Sequence, residues 1–127
     1  MAAVADGVEL VSQGDVTWNL NGFTFQNTDT VNNGIGNNVT PTGLRVRGGT
    51  FLPGNLGAGG SPNVTTTLTL DSGNQTTVGA GVCYIGVSGT GTLNILNASK
   101  LNTSSNTGLG LNESGVGTAT INGSGSA

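Results

Sequence analysis

Ile85-Gly86-Val87-Ser88-Gly89-Thr90-Gly91-Thr92-Leu93-Asn94-Ile95-Leu96 returns later in the chain as Leu109-Gly110-Leu111-Asn112 followed by Gly115-Val116-Gly117-Thr118-Ala119-Thr120-Ile121-Asn122. The first half of the pattern recurs after 24 residues and the second after 26, with Glu113 and Ser114 as the insertion between them. At a similar spacing backwards, Thr67-Leu68-Thr69-Leu70 falls under Thr92-Leu93-Asn94-Ile95, and Leu44-Arg45-Val46 falls one step earlier. A short motif recurring at so regular an interval marks a stack of similar units.

Side chains alternate across a strand, so each copy of the motif has two faces. Leu68, Leu93 and Ala119 form one expected inward ladder, and Leu70, Ile95 and Ile121 form the next. Thr67, Thr92 and Thr118 then make one outward column, and Thr69, Asn94 and Thr120 make the other. Helix is a poor competitor, because glycine and β-branched residues dominate and no 3.6-residue period is sustained. A hairpin-built sandwich does not require the same tetrapeptide every 24 to 26 residues; a parallel β-helix does. The expected fold is therefore an all-β, parallel β-helix with rungs of 24 to 26 residues. We expect residues 1–35 to form an N-terminal cap or irregular rungs and 36–127 the repeating rungs.

Composition supports a narrow core. Of 127 residues 24 are glycine, only 4% are aromatic and 7% charged, with 34% hydrophobic. A net charge of −3 is too small for the usual charge-rich disordered chain. Small apolar residues stacked rung upon rung can fill such a core without large rings.

Along the chain, Val8, Leu10, Val16, Trp18 and Leu20 alternate as half-buried strand, and Asn21-Gly22 signals a turn. Phe23 and Phe25 are then expected on one face, and with Trp18 they form a heavy first rung that covers the open end of the coil. Asn27 to Pro41 reads as loop or weak rung. Leu44 and Val46 point inward, Arg45 and Arg47 outward. Leu52 to Pro62, rich in proline and glycine, is expected to be a protruding loop and not a central strand.

Several chemistries are set aside. Arg45, Arg47 and Lys100 are the only basic residues, too few for a nucleic-acid backbone or an anionic membrane surface. Without histidine, a serine or cysteine nucleophile has no imidazole base. Asp6, Glu9, Asp15, Asp29, Asp71 and Glu113 form no close pair at matching rung positions, as glycoside cleavage on a β-helix needs. Asp6, Glu9 and Asp15 are close enough in sequence to meet a calcium ion, but solvated acids are the plainer reading. Cys83 is expected to be a small buried hydrophobe, and no cofactor or metal site is expected. Met1 to Asp6 shows no signal-peptide pattern. Seven Asn-x-Ser/Thr triplets begin at Asn38, Asn63, Asn74, Asn97, Asn102, Asn112 and Asn122, as a composition this rich in Asn, Ser and Thr generates by itself.

From Tyr84-Ile85-Gly86 through Gly89-Thr90-Gly91-Thr92-Leu93-Asn94-Ile95, and again from Leu109 to Ser126, the chain resembles the repeats of bacterial autotransporter passenger domains of the adhesin-like kind. The likeness covers about residues 68–127. It implies a right-handed parallel β-helix displayed on a Gram-negative cell surface or secreted, serving adhesion, self-association or biofilm formation. It also implies an outer-membrane barrel in a full-length chain, and the residues given contain none.

The expected function is thus a non-catalytic binding solenoid. Its partners would be a second copy, laterally or end to end, or the surface of a host or neighbouring cell. Thr67, Thr69, Thr92, Asn94, Thr118 and Thr120 are the candidate partner face. Thr118, Ala119, Thr120 and Ile121 are the candidate stacking edge of a filament-forming alternative. A further alternative is an ice-binding plane made by the Thr columns.

Overall fold

The computed structural model describes residues 2–3, 15–27, 34–35, 42–79 and 81–127. Within them lie fourteen strands and no helix. In chain order these are β1 (Ala2–Ala3), β2 (Asp15–Asn19), β3 (Thr24–Asn27), β4 (Gly34–Ile35), β5 (Thr42–Arg47), β6 (Thr50–Pro53) and β7 (Leu56–Ala58). They continue as β8 (Thr65–Asp71), β9 (Gln75–Val78), β10 (Cys83–Ile85), β11 (Thr90–Leu96), β12 (Lys100–Thr103), β13 (Thr107–Leu109) and β14 (Val116–Asn122).

Every third strand from β2 onward is a ladder neighbour. Sheet I runs β2-β5-β8-β11-β14, sheet II runs β1-β3-β6-β9-β12, and sheet III runs β4-β7-β10-β13. All the pairings are parallel. The chain is a three-sided parallel β-solenoid of about four turns. Sheet I keeps the register read from the motif: Leu93 pairs with Leu68 and with Ala119, and Leu44 with Leu68. Ile85 pairs with Leu109 in sheet III, 24 residues on, while Thr92 pairs with Thr118, 26 on. The insertion at Glu113 and Ser114 is thus absorbed at the corner between sheets III and I, and the ladders stay in phase.

The core is a column filled by side chains from all three sheets, in one rung Leu44 and Val46, Phe51, and Leu56 and Ala58. Val46, Leu68, Leu70, Cys83 and Ile85 have no exposed surface, and Phe51, Leu56, Ala58 and Val78 are nearly as deep. Burial holds the Cys83 thiol protonated, its pKa raised to about 11, so it behaves as the small hydrophobe expected. At the start of the coil Trp18, Phe25 and Phe51 form the aromatic cluster, with ring centroids 5.5 to 5.9 Å apart. Phe23 does not join it. Its N–H closes the corner onto the Leu20 carbonyl at 2.8 Å, strand alternation begins only at Thr24, and Phe23 is 67% exposed.

The segment Leu52 to Pro62 also departs from expectation. Its first half supplies the end of β6 and all of β7, and β7 is a central strand between β4 and β10. Pro53 is tolerated because it ends its strand and still accepts a bond from the Gly79 N–H at 2.9 Å. Three-residue strands demand few donors, and the rungs above and below supply the packing that Gly57 cannot.

Corners explain the glycines of the motif. At Gly91 a Cβ would lie 2.5 Å from the Gly86 nitrogen and 2.6 Å from the Ala58 carbonyl oxygen, both backbone atoms that cannot swing aside. The last two corners between sheets III and I therefore close over glycine at this position, Gly91 and Gly117, where the preceding rung carries Thr66. Each corner between sheets I and II turns on two successive left-handed residues, Asn21-Gly22, Gly48-Gly49, Ser72-Gly73 and Asn97-Ala98. Behind this second corner Asn74 is wholly buried, donating through Nδ2 to the Gly48 carbonyl at 2.8 Å and accepting from Thr76 Oγ1 at 2.5 Å. Its own backbone N–H donates to Ser99 Oγ at 3.1 Å, so one polar seam ties three rungs together. That burial also removes the Asn74 triplet from any glycan acceptor role.

Candidate functional site

The outer face of sheet I carries the expected partner residues in register. Thr67, Thr92 and Thr118 are consecutive partners in one column, flanked earlier by Gly43 and Asp15. The second column reads Thr17, Arg45, Thr69, Asn94, Thr120. Adjacent strands are about 4.8 Å apart, so hydroxyls repeat at that interval down the first column. Thr67, Thr92 and Asn94 are half-buried, and Thr118 and Thr120 exposed. Thr69 departs from the solvent-facing expectation at 6% exposure, because the longer Arg45 and Asn94 stand on either side of it in the ladder. The hydroxyl array is therefore continuous in one column and interrupted in the other.

Beside these columns a polar cluster holds the corner. The Asp71 carboxylate, its side chain 6% exposed, accepts from Asn97 Nδ2 at 2.7 Å and from the Ser72 N–H at 2.7 Å. Arg45 Nη1 reaches its other oxygen at 3.2 Å, and Arg47 Nε stands 3.8 Å away. The Asn97 amide is the largest influence on this carboxyl; with the Ser72 N–H and the two guanidiniums it outweighs desolvation and holds the pKa below the ordinary value. Arg47 also donates to Ser72 Oγ through Nε and Nη2, both at 3.2 Å. Three successive rungs are pinned at one corner by a single carboxylate.

Where Gly43 occupies the first column, the face has a notch of about 270 Å3, lined by Val16, Thr17, Gly43, Leu44, Arg45, Thr67 and Thr69. Sequence reading placed Arg45 outward and left the notch unnoticed. Its signal was present, since the Leu44 to Leu68 register puts glycine where the next rungs carry threonine.

Among the described residues no three histidine, cysteine, aspartate or glutamate side chains converge on a metal position. Asp6, Glu9 and Asp29 lie outside the described residues, as does the side chain of Asp15. At the far end of sheet I the candidate stacking residues Thr118, Ala119, Thr120 and Ile121 are all accessible, Ile121 at 59% exposure, and Val116 on the same strand is exposed beside them. Leu109 and Leu111 extend that apolar rim along the neighbouring side. Comparisons of the chain with family models, with curated proteins and with solved structures found no match.

Proposed function

We propose that this chain is a non-catalytic surface solenoid of the adhesin-like autotransporter kind, which mediates adhesion or self-association through the outer face of sheet I. The observation that carries the reading is the unbroken Thr67-Thr92-Thr118 column on that face. Each hydroxyl contact is weak, and a rigid row presented at strand spacing makes many of them at once, so avidity supplies the affinity. The test is attachment: beads coated with the protein are scored for clumping with one another and for binding to bacterial and host cells. Thr67→Glu, Thr92→Glu and Thr118→Glu together place like charges at ladder spacing on the face while leaving the inward ladders untouched. Loss of attachment with an unchanged far-ultraviolet spectrum is expected; full attachment by the triple variant refutes the face.

The apolar rim at β14 favours a second reading, end-to-end association of copies into filaments. Parallel strands stacked head to tail do not close, so such contacts propagate. Ile121→Lys should shorten filaments seen by negative-stain microscopy, and filaments of undiminished length would dismiss this route.

A further inference from the structure

We propose that the Gly43 notch is a binding site for a carboxylate-bearing sugar, recognised by the Arg45 guanidinium and the threonine hydroxyls around it. The inference rests on the reading of sheet I as the partner face and names the chemistry of one ligand for it. The notch exists because of one residue: glycine at a column position held by threonine in the next three rungs. Its volume, about 270 Å3, lies just below the usual range of sites for whole small-molecule ligands and suits one sugar ring of a longer chain.

Among the described residues lining it, Arg45 is the single charged side chain. Its side chain is 50% exposed, and Asp71 engages it through Nη1. That partner is itself nearly buried and fixed by Asn97 and Ser72, so the guanidinium is oriented before any ligand arrives. A guanidinium carries five donors in a rigid fork that matches a planar carboxylate. Thr17 and Thr67 bring hydroxyls that both donate and accept, as sugar hydroxyls require. A second notch, about 210 Å3 between Pro62, Ser88 and Ser114, has no charged side chain among the described residues that line it.

The experiment is a titration of isotopically labelled protein, followed by amide shifts, with trigalacturonate as the acidic probe and maltotriose as the neutral one. Trigalacturonate should shift amides at residues 16–17, 43–45 and 67–69, and maltotriose should bind at least tenfold more weakly. Gly43→Thr fills the notch by extending the threonine column and keeps Arg45; it should abolish the shifts. Arg45→Gln should weaken binding at least tenfold, with the aromatic-core signals of Trp18 and Phe51 unmoved. Equal binding of the two sugars, or undiminished binding by Gly43→Thr, overturns the proposal. Binding of a sulfated trisaccharide in place of trigalacturonate overturns the carboxylate assignment. Shifts confined to Thr92 and Thr118 would overturn the notch and leave the partner face standing, whereas loss of attachment in the bead assay is read separately.

Discussion

Leu70 in β8 and Ile121 in β14 occupy the same inward ladder two strands apart, with Ile95 between them. Leu70 has no exposed surface and Ile121 is 59% exposed. Residue type and strand geometry are alike, so the difference comes from neighbours. In a solenoid a side chain is buried by the rung above and the rung below, and a rung with one neighbour keeps half its apolar face in water. Middle rungs therefore carry the stability, and β14, with β11 as its one ladder neighbour among the described strands, carries apolar surface.

Truncation should break this symmetry most sharply. Leu70→Ala leaves a cavity between two packed rungs and should cost about 3 kcal/mol in urea unfolding. Ile121→Ala leaves none and should cost under about 1 kcal/mol. Equal losses would mean that β14 is covered in solution.

The Asp71 corner offers the next contrast. Asp71→Asn should cost about 2 kcal/mol at neutral pH, since it leaves Arg45 without its buried carboxylate partner. The native carboxyl has a lowered pKa, so its contribution is full above the ordinary value of 3.8 and is lost as pH falls below that value through the depressed folded one. Unfolding midpoints of native protein and variant should converge in acid. A constant gap across the pH range would remove the carboxylate from the account.

Smaller effects with the opposite sign are expected where the middle rungs are imperfect. Thr66 takes the inward position that Gly91 and Gly117 hold later, and its Oγ1 is the one buried side-chain oxygen without a partner among the described residues. Thr66→Val should stabilise the fold by about 1 kcal/mol, and a loss would reveal a hydrogen-bond partner for that hydroxyl. Ala98 adopts a left-handed φ of 63° at a corner where the previous rung uses Gly73. Ala98→Gly should add about 0.5 to 1 kcal/mol to thermal stability, close to the limit of measurement.

The solenoid was legible because identical columns repeat: the motif at Thr92 to Ile95 set the register of Thr67 to Leu70 and Leu44 to Val46 without any knowledge of the corners. Leu52 to Ala58 was misread because proline and glycine exclude long interior strands, while strands of three or four residues between tight corners accept both. Phe23 was misread because alternation was carried through a corner residue. The Thr67, Thr92 and Thr118 column was legible from strand period, but the burial of Thr69 in the other column was not, since it depends on Arg45 and Asn94 in the neighbouring rungs. The Asp71 cluster was not, since Arg45, Asp71 and Asn97 are brought together only by stacking offsets of 26 residues between a strand position and a corner position.

Light scattering across a concentration series, on native protein and on the Thr67, Thr92 and Thr118 triple glutamate variant, tests the partner face most directly. The native chain is expected to grow in mass with concentration and the variant to remain a monomer of 12.4 kDa. Identical growth of both, or a native chain that stays monomeric and binds no cell surface, would contradict the assignment of sheet I as the face that meets a partner.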